Sequence, residues 1–317
     1  MTDATRSIDH LVTVSEESIA KGSKSFALAS KLLPAEMRRD VVMLYAWCRY
    51  ADDVIDGQVA GFKAADSEQT DESVRLRDLE DRTRNALAGK PDDDPVFLAL
   101  GHIAKKNKFD QRHPLELIDG FRMDVEGRQY RALSDTLDYC YHVAGVVGVM
   151  MAGLMGVETE EALDRASDLG IAFQLTNISR DIFDDAAIGR VYLPSEWLEK
   201  FDLDVSNIGD SENRQTVYQM ALLLLEEADK YYASARYGYS ALPWRARWSI
   251  ASAGRIYREI GVIIRHSGPD VWQTRISTST PKKLMLVLLA LWDSLFPAGQ
   301  TSGEKRAGLY QRPIAAG

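Results

Sequence analysis

Gln174-Leu-Thr-Asn-Ile-Ser-Arg-Asp-Ile-Phe-Asp-Asp185 decides how the rest of this chain is read. Asn177, Asp181 and Asp185 recur every four residues, which sets three oxygen-bearing side chains in a row along one helix face. Gln174 lies one turn before the row and Arg180 sits beside Asp181. A second such helix is written in Tyr45-Ala-Trp-Cys-Arg-Tyr-Ala-Asp-Asp-Val-Ile-Asp56, where Asp52 and Asp56 are four apart and Arg49 is one turn upstream of Asp52 and Asp53. Like charges at that spacing cost an isolated helix about 0.2–0.5 kcal/mol. Beside Trp47, Tyr50, Val54 and Ile55 the cost is larger, because a carboxylate against apolar surface needs a partner. Two helices of this kind can face one another and hold divalent cations between them. Carboxylate and amide oxygens, with no His or Cys, suit Mg²⁺ or Mn²⁺ rather than Zn²⁺. Mg²⁺ keeps some of its waters and bridges to substrate phosphates, so the pattern reads as a phosphate-binding arrangement; the competing reading is two solvated helix faces. Gly22-Ser-Lys-Ser-Phe26 adds Lys24 and the hydroxyls of Ser23 and Ser25 at a helix start, either a small anion-binding turn or an ordinary connection between helices.

Working outward, the chain has 317 residues, 45% hydrophobic and 27% charged, so it is neither disordered nor too small to bury a large core. Its 38 Lys and Arg against 47 Asp and Glu give a net charge of −9, which argues against a broad nucleic-acid surface but leaves room for a small anion held by local cations. Cys48 and Cys140 are too few for a disulfide framework, so a reducing cytoplasm is expected. The first residues lack the apolar core of a secretory signal, and the longest apolar stretch, Val143 to Val157, falls short of a bilayer span.

Helix punctuation dominates. The expected helices cover about 9–21, 35–56, 72–88, 96–108, 115–126, then 134–155 with Ser134 as N-cap, 159–187 opened by Thr159, 213–237, 245–265, and a last one through Trp292 capped at Thr280. Segments 57–70 and 91–95 read as mobile loops, Asp92–Asp94 as a solvated acidic run, and 298–317 as a frayed tail. No linker or repeat divides the chain, so the expectation is one all-α domain with its core at about 15–295.

These pieces together resemble the squalene/phytoene synthase family. Gly22 to Phe26, Tyr45 to Asp56, Tyr139-Cys-Tyr-His-Val-Ala-Gly-Val-Val-Gly148, Gln174 to Asp185 and Gly189-Arg-Val-Tyr-Leu-Pro194 all look like that family, in order, across about 20–285. The resemblance implies an isoprenoid-synthase helical bundle with a central cavity. It implies a prenyltransferase that joins two geranylgeranyl diphosphates head to head, through prephytoene diphosphate, to the carotenoid precursor phytoene; the alternative is a C15-using squalene or dehydrosqualene synthase. By resemblance Asp52, Asp56, Asn177, Asp181 and Asp185 bind Mg²⁺ (or Mn²⁺), and Arg49, Arg180, Ser23, Lys24 and Ser25 complete the anion site. Tyr45 and Gln174 are implied substrate contacts, Tyr139, Tyr192 and Tyr257 lie near the reacting carbons, and Arg275 adds a late diphosphate contact.

The chemistry needs what these residues offer. Ionising an allylic diphosphate leaves a highly charged anion, offset by metal and Arg/Lys, and a carbocation that apolar and aromatic walls must shield from water. Phe26, Val143, Ala144, Val147 and Gly148 are the expected tunnel wall, with ordinary core packing as the other reading; the small residues Ala144, Gly145, Gly148, Ala152 and Gly153 would leave room for a tail. Asp119, Asp124 and Glu126 precede an aromatic segment and either support the tunnel or sit on the surface, and His142 reads as a satisfied imidazole. Gly22, where dehydrosqualene-type relatives often carry His, favours a C20 substrate. Ser179 and Asp184 depart from the usual Leu and Glu without touching the aspartate spacing. A di-iron oxidase is excluded, since no His has Glu three residues before it. Amphiphilic substrates and an insoluble product imply a cytoplasmic enzyme at the inner face of the membrane, through Leu284–Trp292 or Trp244–Trp248, in contact with neighbouring isoprenoid and carotenoid enzymes.

Overall fold

The computed structural model describes residues 3–22, 24–59, 62–63, 71–90, 92–108, 110–297 and 306–313, with side chains left undescribed at 3–7, 18–25 and 58–63. It is all-α, as the sequence predicts. The helices are α1 (Asp3–Gly22), α2 (Lys24–Ser30), α3 (Ala35–Ile55), α4 (Glu72–Leu87), α5 (Pro95–Asn107), α6 (Arg112–Val125), α7 (Leu133–Cys140), α8 (Val146–Leu154), α9 (Glu160–Ala187), α10 (Ser195–Lys200), α11 (Arg214–Gly238), α12 (Trp244–Ser267) and α13 (Thr280–Leu295). Among the described residues the only strand pairing is antiparallel, Gln58–Val59 against Phe62–Lys63.

α9 is the axis. α8, α11 and α12 pack around it, and one continuous apolar core joins residues of α1 and of α3 through α12 with Ala290 and Leu309. Helix α8 lies so close to α9 that a Cβ on Gly148 would collide with the Ala166 carbonyl, and one on Gly170 with that of Ala144. Gly148 is therefore small for backbone approach as well as for cavity room. Gly145 packs against Ser167 and Ile171, and Gly153 is exposed, so neither widens a tunnel. α7 runs into α8 through a π-helical turn, Tyr141–Gly145, and the whole helix Leu133–Leu154 is long and apolar enough to cross a bilayer. The sequence reading had put its apolar part short of that length. With 61% of its apolar window buried inside the fold, it is a core helix. Tyr139, just before the π turn, and Val143 and Ala144 within it stand on one wall.

Several boundaries are corrected. The α7 start is held by Asp135, whose carboxylate accepts from the amides of Arg131 and Ala132, so Ser134 is not the cap. α13 is preceded by Ser279, not Thr280. Asp92 is no solvated residue: it takes two hydrogen bonds from Arg82, at 2.6 and 3.1 Å, while Asp94 caps α5 through the Val96 amide. The tail does not fray throughout. Residues 306–313 return to the fold as a strap in which Arg306 and Arg312 are buried and Leu309 enters the core. Arg306 holds the fully buried Asp168 through two bonds of 2.9 Å, and Arg312 holds Asp164 at 2.7 Å and also Glu160. Tyr310 donates its hydroxyl to Asp138 at 2.7 Å and its amide to the Tyr231 hydroxyl at 2.9 Å.

Candidate active site

A cavity of about 510 Å³ runs between α3, α6, α7, α8, α9 and α12. One part of its wall is charged. Asp52 lies on the last turn of α3, and Asp56 is the C-cap, its amide bonded to the Asp52 carbonyl. Asn177, Asp181 and Asp185 line the facing wall from α9, with Gln174 one turn earlier. The two rows foreseen from spacing thus border one cavity. Arg49 is forked between Asp52, at 3.0 Å, and Asp53, at 2.7 Å. Arg180 binds both oxygens of Asp181, the Nε contact being 2.7 Å.

Arg190, to which the sequence reading gave no role, crosses from the far end of α9 to Asp56 at 2.9 Å. It arrives there because α9 ends in a Schellman turn: Gly189 takes φ +80°, its amide bonds the Ala186 carbonyl and the Arg190 amide that of Asp185. The glycine directly after a helix and before an arginine was the available signal.

Crowding of half-buried carboxylates along the cavity wall shows in their acidity. Burial first, then Asp56, pushes Asp52 up to about 6. Burial and Asp181 push Asp185 up to about 7. A set of carboxylates held in this way calls for more positive charge than the arginines supply. The Asn177 Oδ1 is buried without a hydrogen-bond partner, although its amide nitrogen reaches Gln174 at 3.4 Å. An unsatisfied amide oxygen beside paired carboxylates is the donor set of a hard divalent cation.

The rest of the cavity is mostly apolar and aromatic, Arg165 and Asp124 being its other charged lining residues. Phe26 and Tyr45 stack at 4.1 Å between ring centres, Phe173 and Tyr257 at 4.2 Å, and Tyr139 and Tyr192 at 4.5 Å. Val143, Ala144, Val147, Gly148, Met151, Ala152 and Met155 form the α7–α8 wall, and Leu242, Ile250 and Ala253 the wall from α12 and the residues before it. Asp124 belongs to the cavity, whereas Asp119 is a surface partner of Arg122 and Glu126 is exposed. His142 bonds the Asp138 carbonyl at 2.8 Å. Ser23 and the side chains of Lys24 and Ser25 lie outside the described residues. Arg275 is exposed and does not line the cavity with the other site residues.

A family model described as squalene/phytoene synthase matches residues 19–282. The chain belongs to the squalene/phytoene synthase family. Within the family it is 49% identical to a 15-cis-phytoene synthase of Pantoea ananas, over 94% of this chain and 96% of that one. It is 50% identical to a 15-cis-phytoene synthase of a Paracoccus species, over 96% and 98%. Among solved structures, a dehydrosqualene synthase in complex with a ligand superposes with a TM-score of 0.80 at 29% identity, covering 91% of this chain and 98% of that one.

Proposed function

We propose that this enzyme condenses two molecules of geranylgeranyl diphosphate head to head, through prephytoene diphosphate, to phytoene, with release of two diphosphates. The observation that carries the reading is the near end-to-end similarity to 15-cis-phytoene synthases, at about half of all positions. The cavity suits it: a charged end for diphosphate is continuous with a long apolar wall for isoprenoid chains. Dehydrosqualene synthesis from a C15 substrate is the second reading, favoured by the structural likeness to a dehydrosqualene synthase.

Asp52, Asp56, Asn177, Asp181 and Asp185 would hold Mg²⁺ or Mn²⁺, which when bound neutralises the charge that develops on the departing diphosphate. Arg49, Arg180 and Arg190 line the charged end of the cavity and present guanidinium forks that match phosphate oxygens. Tyr45, Phe26, Phe173 and Tyr257 offer aromatic faces to a carbocation and, with the aliphatic wall, keep water from it. Holding the second substrate's double bond against that cation favours carbon–carbon bond formation over quenching.

Product analysis tests this reading. Purified enzyme with geranylgeranyl diphosphate and Mg²⁺ is expected to give a C40 triene, and EDTA is expected to abolish it. A C30 product from farnesyl diphosphate, with none from the C20 substrate, would transfer the enzyme to the second reading.

The product's insolubility extends the proposal to location: a cytoplasmic enzyme resting peripherally on the inner membrane leaflet, where adjoining carotenoid enzymes would meet it. Leu284, Leu288, Trp292 and Phe296 recur every four residues along α13 and are exposed, as is neighbouring Trp244 of α12. An exposed apolar stripe of this kind fits an interfacial helix. Flotation with phospholipid vesicles is expected to carry the protein upward, and Leu288→Glu with Trp292→Glu to leave it at the bottom. Wild-type protein that never floats would sink the idea.

A further inference from the structure

Asp124 stands on the last turn of α6, in the cavity wall, and its two carboxylate oxygens are used differently from those of every other aspartate there. Oδ2 accepts from the Tyr139 hydroxyl at 3.0 Å and Oδ1 from the Tyr192 hydroxyl at 2.9 Å. The two rings come from separate elements, Tyr139 from α7 and Tyr192 from the segment between α9 and α10, and they stack at 18° to one another. Tyr130 closes a third side at 5.5 and 5.7 Å from those rings. The cluster is fixed from behind: Thr136 Oγ1 donates to the Tyr192 carbonyl at 2.9 Å, and the Ser195 amide to that of Tyr130 at 2.8 Å. Both site tyrosines are under 10% exposed.

A phenol has one proton to donate and lone pairs to accept with. Here both phenols spend the proton on Asp124 while their oxygens also interact with one another, which still leaves the Tyr139 oxygen, with two lone pairs, able to accept. A neutral phenol is a poor base for a carbon acid, and it becomes a competent one when its own proton can move on as it accepts another.

We propose that Asp124 is a positioning residue that makes the Tyr139 hydroxyl the proton acceptor for the carbocation formed in this cavity. The C–H electron pair of the cation becomes the new carbon–carbon bond or double bond, and the proton goes to the Tyr139 oxygen. The phenol's original proton passes to Asp124 Oδ2. The cation is thereby neutralised and the carboxylate becomes a carboxylic acid, which returns its proton to water once product has left. Tyr192 fixes the other oxygen, so the carboxylate cannot rotate away from Tyr139. Burial pushes the Asp124 carboxyl and both phenols above their ordinary ranges, in keeping with phenols that stay protonated between turnovers and a carboxylate that accepts a proton readily.

The inference rests on the site reading above, and the variants separate the two. Asp124→Asn, Tyr139→Phe and the double variant would be assayed with geranylgeranyl diphosphate and Mg²⁺, beside calorimetry with Mg²⁺ and inorganic diphosphate. Each single change is expected to lower kcat by about 100-fold or more with KM within about threefold. The double variant is expected to be no worse than the poorer single, because both remove one relay. Diphosphate affinity should stay within about threefold of wild type, which a metal-binding role for Asp124 would not allow. Should Asp124→Asn fail to fold, Asp124→Glu keeps the charge but shifts the acceptor, and the same kcat loss at constant KM is expected. A Tyr139→Phe loss beside wild-type turnover in the Asp124 variant overturns the relay alone, as do multiplicative losses in the double variant. Normal turnover in Tyr139→Phe overturns the relay together with the assignment of Tyr139 to the reacting carbons.

Discussion

Asp181→Ala is expected to lower turnover by about three orders of magnitude, with far-UV circular dichroism unchanged. The residue lies at the middle of the α9 row, with Asn177 and Asp185 one turn to either side. Its loss would remove the central one of the ligands proposed for the metal and release Arg180, which now grips it through two nitrogens, to reach other carboxylates. Helix α9 should survive, because it spans 28 residues, is enclosed by α8, α11 and α12, and Ala favours helix. Calorimetry with Mg²⁺ and inorganic diphosphate should show the affinity falling in step with kcat. Asp92→Ala is the matched control: it breaks the ion pair with Arg82, far along the chain from either row, and turnover should hold. Near-normal turnover in Asp181→Ala would dismantle the metal assignment for the α9 row.

Arg306→Ala is expected to destabilise the fold by about 3–5 kcal/mol, the cost of leaving a buried charge without its partner. Asp168 has no solvent exposure, and burial holds its carboxyl above the usual range even with Arg306 in place. What remains after the substitution is the Ser234 hydroxyl and the nearby charge of Arg165. Urea denaturation followed by circular dichroism would report the loss as a fall in midpoint at similar slope. A change below about 1 kcal/mol would mean that the strap rests on the surface rather than completing the core.

These two residues mark the limits of what the sequence discloses. Asp181 is legible because a helix repeats, and a four-residue spacing of carboxylates in apolar surroundings has few other physical purposes. The same regularity gave the longer helices and most of their ends, with α7 and α8 read as one. Arg306-Ala-Gly-Leu-Tyr-Gln-Arg-Pro313 has no repeat, and its partners in the body of the fold lie 79 to 172 residues away, so nothing local distinguishes it from a loose tail. Arg190 was hidden for a related reason: its partner Asp56 is 134 residues distant. Asp124 was visible only as one of three nearby acids, since what singles it out is two tyrosines meeting it from different elements. Short helices such as α2 and α10 are fixed by packing rather than by any periodicity of their own.

The closeness of α8 and α9 bears on how such an enzyme can diverge. At Gly148 and Gly170 the opposing backbone leaves no space for any side chain, so those positions are closed to selection for a shorter or longer product. Ala144, Met151, Ala152 and Met155 present side chains to the cavity from the same wall. Variation in chain length on this wall is channelled to these four together with Val143 and Val147, and a library confined to them would sample the cavity's dimensions while leaving the scaffold's tightest seam untouched.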